Sequence, residues 1–207
     1  MCWKRKNKKP DNIKEKRMAN LHFYYGAMGT SKSAELIMNA YNYRKNNVKV
    51  ECIKPSFDNR FSESEIVSRI GISTPCLSLP TLKTYDPSKD TKVILIDEVQ
   101  FFMPEDVDVL VDIADNQNKI VMCYGLLSDY NEHMFPTSKR LIEVGAKLHH
   151  LRSNCQIEGC MKLADHHLLF DSNGNIVKGG TGIQLGDTIY KSVCRKHFNE
   201  LYHGKQK

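Results

Sequence analysis

A chain of 207 residues, 41% of them hydrophobic, can bury one good core with a small appendage. No apolar stretch approaches the roughly 20 residues that span a bilayer, and the basic N-terminus has no apolar run behind it that would make a secretory signal. The formal charge of +6 is local: residues 1–17 hold eight Lys/Arg against Asp11 and Glu15, a net +6, so the remainder sums to about zero. That argues against a nucleic-acid-binding surface on the body and leaves residues 1–18 as a basic, flexible extension, for which a solvated leader is the plain reading.

Seven cysteines, an odd and scattered set, fit a reducing compartment, the cytoplasm, better than a disulfide framework. Cys52 and Cys123 sit in apolar, strand-like runs and read as buried thiols.

The body opens on Leu21-His22-Phe23-Tyr24-Tyr25, a strand, then Gly26-Ala27-Met28-Gly29-Thr30-Ser31-Lys32-Ser33, then a helical pattern over residues 34–41. Strand, tight turn and helix N-terminus form an anion-binding arrangement, in which backbone N–H groups face phosphate. Lys32 would reach the terminal phosphates and the Ser33 hydroxyl would ligate Mg²⁺. The pattern G-x-x-x-x-G-K-[ST] wants glycine where Ser31 stands, because the turn approaches its ligand closely and uses positive φ. An ordinary strand–turn–helix is the alternative.

Residues 48–53 alternate as a strand, with Lys54-Pro55 predicted to stop it. Asp58-Asn59-Arg60 starts a polar loop that runs through Ser68-Arg69-Ile70-Gly71 to Thr74-Pro75. Taken alone, Asp58 and Arg60 make a surface turn whose ion pair is worth little. Val93-Ile94-Leu95-Ile96 reads as a central strand covered on both faces, and it ends in Asp97-Glu98. An acidic pair at such a strand end suits Mg²⁺ on Asp97 and the acceptor substrate near Glu98; a helix cap is the alternative. A helix follows Pro104 with Val107, Leu110, Val111 and Ala114 on one stripe. Residues 119–124 make a further strand, closed by Gly125 and a turn to Tyr130.

Strands alternating with helices to about Leu151 predict a parallel α/β sheet with ligands at the strands' carboxyl ends. Past that point the periodicity changes. Cys155-x₄-Cys160 and Cys194-x₂-His197, some 33 residues apart and each read as a hairpin-like knuckle, suit a closed Cys₃His zinc site. A turn at Asp171-Ser172-Asn173-Gly174-Asn175 lies between them. His166 and His167 are alternative ligands with less suitable spacing.

These motifs, in this order from about residue 19 to 202, resemble those of the type II thymidine kinases, the bacterial and cytosolic class. The resemblance rests on Tyr25-Gly26-Ala27-Met28…Lys32-Ser33-Ala34-Glu35-Leu36, Asp58-Asn59-Arg60, Ser68-Arg69-Ile70-Gly71, Asp97-Glu98-Val99-Gln100-Phe101-Phe102, Gly125-Leu126…Asp129-Tyr130…Phe135-Pro136 and Tyr190-Lys191-Ser192-Val193-Cys194-Arg195-Lys196-His197.

The resemblance implies a P-loop, RecA-like α/β domain over residues 19–151 and a small zinc-binding lasso domain over 152–207. It implies transfer of the ATP γ-phosphoryl group to the 5′-hydroxyl of thymidine or deoxyuridine. Residues 26–33, Asp58, Asn59, Arg60, Asp97 and Gln100 fall at nucleotide-contact positions, and Glu98 at that of the general base. Met28 and Tyr130 fall at base-contact positions. Thr181, Gly182, Ile183, Gln184 and Leu185 fall in the lasso around the base, closed by Tyr190. A homotetramer and feedback inhibition by thymidine triphosphate are further implications.

Three departures stand out. Ser31 replaces glycine, residues 165–167 (Asp-His-His) lack the usual threonine and arginine, and Leu185 replaces the lasso's first glycine. Ser31 motivates a rival expectation, a catalytically weak paralogue that binds a deoxynucleoside or its triphosphate as a sensor.

Overall fold

The structure is a computed structural model, and it describes residues 20–58, 62–180 and 189–204. In chain order, β1 (Leu21–Tyr25) leads into α1 (Lys32–Lys45), and β2 (Val50–Pro55) is followed by β3 (Glu65–Val67), β4 (Ser73–Pro75) and β5 (Leu77–Leu79). Next come β6 (Val93–Ile96), α2 (Asp106–Asp115), β7 (Ile120–Gly125), α3 (Pro136–Glu143) and β8 (Lys147–His150). The C-terminal part holds β9 (Ser153–Asn154), β10 (Leu163–Ala164), β11 (His166–Phe170), β12 (Ile189–Val193) and α4 (Arg195–Tyr202).

Six strands form one sheet in the order β5-β2-β6-β7-β1-β8, every neighbouring pair parallel. The predicted α/β class is the observed one. Successive side chains of a strand leave opposite faces, and the core divides accordingly. Val93 and Leu95 pack with Leu36, Ile37 and Ala40 of α1. Ile94 and Ile96 pack with Val107, Leu110 and Ile113 of α2 and Leu141 of α3. All four residues of β6 are fully buried, as a strand covered on both faces must be. Cys52 and Cys123 are buried thiols, as expected.

Two expectations change here. Lys54-Pro55 does not stop the second strand: β2 continues to Pro55, because Lys54 sends its ammonium onto the Ser62 and Glu65 carbonyls and Pro55 pairs in register with Leu79. The polar loop also contains structure, a β3–β4 hairpin, and the edge strand β5 follows it. Each is three residues long, too short to show periodicity.

Beyond β8 a small third core of Cys155, Leu168, Val193, Cys194 and Phe198 joins the β11–β12 hairpin to α4. The Asp171 turn forms as read, its carboxylate accepting from the Asn173 and Asn175 N–H groups. Among the described residues no helix is long and apolar enough to cross a membrane.

Candidate active site

Gly26 follows β1 at a point where there is no room for a side chain. A Cβ there would lie 2.3 Å from the Leu151 carbonyl and 2.6 Å from Thr30 Oγ1. The turn then uses left-handed backbone twice, at Gly29 (φ 76°) and at Ser31 (φ 60°, ψ 24°). The second is where the sequence pattern asks for glycine. An L-residue in this region costs about 1–2 kcal/mol, so Ser31→Gly is expected to raise the thermal midpoint by about 2–8 °C and to leave nucleotide binding and turnover equal or higher. Thermal melting with and without an ATP analogue checks this, and weaker nucleotide binding would mean the Ser31 hydroxyl contributes a contact.

Lys32 is buried, with Nζ on the Ala27 carbonyl at 2.8 Å and the Gly26 carbonyl at 3.3 Å. The loop thus holds its cation against its own backbone. Ser33 Oγ donates to Asp97 Oδ2 at 2.8 Å, joining the N-terminus of α1 to the end of β6. The bond spans β7, which separates β1 from β6 in the sheet.

Asp97 is nearly fully buried. Burial, then the neighbouring Glu98 charge, push its carboxyl up to about 7, against the pull of Ser33, the Glu98 N–H and Lys32. Between its unfolded value and about 7 the native state then binds the extra proton, so stability falls as pH rises through that window. Unliganded protein is expected to melt higher at pH 5 than at pH 8, and the difference should shrink in Asp97→Asn.

Glu98 adopts φ 48°, ψ 42°, a conformation uncommon for a side chain of this size. It is held there: Gln100 Nε2 donates to Glu98 Oε2 at 2.6 Å while Gln100 Oε1 accepts from Leu126 N–H at 2.9 Å. Gly125 permits this bridge, since a Cβ on it would meet Gln100 Oε1 at 2.4 Å. Gln100, read in the sequence as a nucleotide contact, is therefore seen orienting Glu98.

Asp58 lies in the turn after β2, its N–H on the Pro55 carbonyl at 3.0 Å; Asn59 and Arg60 fall outside the described residues. Arg69 is a residue that the sequence reading left without a role. It rides the turn between β3 and β4, and its Nη1 lies 3.9 Å from where a Cβ on Gly29 would be. The Ser68-Arg69-Ile70-Gly71 motif was the available signal.

Tyr130 is fully buried and donates to the Gly179 carbonyl at 2.8 Å. Asn131 beside it accepts from the Gly179 N–H at 3.0 Å and from the Tyr202 hydroxyl at 2.6 Å, and donates to the Gly180 carbonyl at 3.1 Å. Gly179 and Gly180 precede Thr181, Gly182, Ile183, Gln184 and Leu185, which lie outside the described residues. The phosphate loop is tied to the same region, because the Ser192 hydroxyl donates to the Met28 carbonyl. Tyr190 sits two residues earlier on β12.

Cys155, Cys160, Cys194 and His197 bring one ligand atom each to within 4.8 Å of one another. Cys155 Sγ and Cys194 Sγ are 3.3 Å and 3.5 Å from His197 Nδ1, and Cys160 Sγ is 4.0 Å from Cys194 Sγ. These match the edges of a tetrahedron around an ion bonded at about 2.3 Å to sulfur and 2.0–2.1 Å to nitrogen. Burial raises the Cys155 thiol, but hydrogen bonds with His197 and from the Cys194 and Ile157 N–H groups bring it down to about 6, which favours the ligating thiolate.

The first Cys pair does lie on a short hairpin-like turn, between β9 and β10. The second pair does not, since Cys194 caps α4 and His197 is in its first turn. His166 and His167 are not in the cluster: both lie on β11, and His166 Nε2 faces Glu132 at 3.3 Å.

Phosphate loop, strand-end carboxylates and parallel sheet define a P-loop-like α/β protein with a Cys₃His metal-type cluster. The sequence model of the thymidine kinase family matches residues 19–198. The thymidine kinase of Enterobacteria phage T4 is 39% identical over 191 residues, covering 89% of this chain and 97% of that one. That of Mannheimia succiniciproducens is 35% identical, covering 88% and 96%, and that of Rhodopirellula baltica 31% identical, covering 90% of each. The chain belongs to the thymidine kinase family.

Proposed function

We propose that this protein is an ATP-dependent thymidine kinase, which transfers the γ-phosphoryl group to the 5′-hydroxyl of thymidine or deoxyuridine. The observation that carries the reading is the junction of Lys32, Ser33, Asp97 and Glu98 where α1 begins and β6 ends, with Ser33 bonded to Asp97 at 2.8 Å. N–H groups of residues 26–33 would receive the ATP phosphates, and Lys32 would exchange its loop carbonyls for phosphate oxygens. Ser33 and Asp97 would hold Mg²⁺, which when bound neutralises phosphate charge. Glu98, oriented by Gln100, accepts the nucleoside hydroxyl's proton late in the transfer. Arg69 adds a positive charge beside Gly29, and Asp58, Asn59 and Arg60 belong to the nucleotide side.

The base would lie against Met28, Tyr130 and Tyr190 under residues 181–185. Zinc at Cys155, Cys160, Cys194 and His197 would anchor both ends of that segment. On this reading residues 19–151 are the nucleotide-binding domain and 152–207 the zinc and lasso domain, of a cytoplasmic homotetramer inhibited by thymidine triphosphate.

The relatives described above carry kinase names, so nothing favours the sensing alternative. The test is phosphorylation of labelled thymidine with ATP and Mg²⁺. Zero turnover alongside retained ligand-induced melting shifts would defeat the kinase reading.

A further inference from the structure

His167 is 4% exposed, and its Nε2 is closed off from solvent with no hydrogen-bond partner among the described residues. The hairpin register fixes where the side chain points. β11 and β12 are antiparallel with His167 opposite Ser192, so both side chains leave the same face of the ribbon. The Ser192 hydroxyl on that face reaches the Met28 carbonyl of the phosphate loop. The His167 ring also meets the Tyr190 ring edge-on, centroids 5.7 Å apart. Burial, then the Lys32 and His166 charges, hold the imidazole neutral, its pKa pushed down to about 3.

A neutral imidazole offers one donor and one acceptor. Leaving one unmet in the interior costs stability, so the atom calls for a partner that the described chain does not itself supply. A phosphate oxygen would be better served by a charged ring; an uncharged one suits the neutral polar edge of a nucleobase.

We infer that His167 is a specificity-determining residue, whose Nε2 hydrogen-bonds a polar atom of the pyrimidine base of the acceptor nucleoside. This rests on the proposed placement of the nucleoside against Met28 and Tyr190. His167 then supplies a side-chain hydrogen bond to the base beside the Tyr190 ring. Substituents on the base that present a donor or acceptor to this nitrogen are tolerated better than apolar ones of equal size.

The test uses the full-length, metal-loaded protein and the variants His167→Leu and His167→Gln. Thermal melting is measured without ligand and with thymidine. kcat and KM are measured for ATP, thymidine, deoxyuridine, 5-hydroxymethyldeoxyuridine and deoxycytidine.

In His167→Leu the unliganded midpoint should equal or exceed that of the wild type, because the unmet polar atom is gone. The nucleoside KM should rise roughly tenfold, the worth of one hydrogen bond, with the KM for ATP within about twofold. The preference for 5-hydroxymethyldeoxyuridine over thymidine, relative to wild type, should fall. His167→Gln, which keeps a donor and an acceptor, should recover part of the nucleoside affinity.

Unchanged nucleoside KM and ranking in His167→Leu would overturn the proposal. So would a rise shared equally by ATP, or a midpoint well below wild type, which would make the imidazole structural. A wild-type protein that phosphorylates none of the nucleosides defeats the kinase reading instead, while the thymidine-induced melting shift still tests His167.

Discussion

Glu98→Gln is expected to lower turnover by about 10²–10³-fold while ATP affinity stays within about twofold. The exchange is close to isosteric, and the new amide oxygen can still accept from Gln100 Nε2, now 2.6 Å from Glu98 Oε2. The Gln100 bridge to Leu126 and the strained backbone at Glu98 should therefore survive, leaving loss of a proton acceptor as the change. The effect belongs in the lower part of the general-base range because phosphoryl transfer has a loose transition state and the proton leaves late. Single-turnover phosphorylation and nucleotide-induced melting separate the two quantities. Undiminished turnover would remove Glu98 as the base and shift the catalytic burden to Lys32, Arg69 and the metal.

Metal removal should have a comparably large but differently distributed effect. The C-terminal core is small: Cys155, Leu168, Val193, Cys194 and Phe198, two of them cysteines of the Cys₃His cluster. So little apolar burial cannot by itself balance the entropy of ordering two hairpins and a helix. Structural zinc sites in small domains contribute on the order of 10 kcal/mol to folding. The Tyr202–Asn131 and Ser192–Met28 hydrogen bonds carry that order to the loop bearing Tyr130 and to the phosphate loop.

Chelation, or Cys194→Ser, is thus expected to abolish thymidine binding and turnover. The parallel sheet should remain folded, with ATP-analogue binding only weakened. Metal analysis should find about one zinc per chain. Full activity in metal-free protein would refute the structural role.

How much of this was legible in the sequence depended on how local each signal was. β6 declared itself because four consecutive apolar residues allow little else, and Asp97-Glu98 followed from its end. The loop at Lys32 and Ser33 is a contiguous motif, so it was readable despite Ser31, and the strained backbone at Ser31 is what the mismatch implied. β8 was harder: its residues are mostly exposed and polar, and it is a strand only through backbone pairing with β1.

That β7 would separate the two halves of the site was not readable either, since sheet order depends on which crossovers pack best. Asn131 and Ser192 gave no signal of their roles. Their partners lie far away in the chain, 164 residues in the case of Ser192 and Met28. The Cys₃His set was readable from spacing, but not that one pair would cap a helix.

The position of β1 has a consequence for biosynthesis. The segment that leads into the phosphate loop is translated before the other five strands of its sheet, yet its two hydrogen-bonded neighbours are β7 and β8. Until Ile120–Gly125 and Lys147–His150 leave the ribosome, Leu21–Tyr25 has no lateral partner, and its apolar side chains must be sheltered by α1 or by a chaperone. Such long-range pairing is slow to form. Pausing or truncation before about residue 150 should therefore yield an aggregation-prone chain rather than a partly working nucleotide binder.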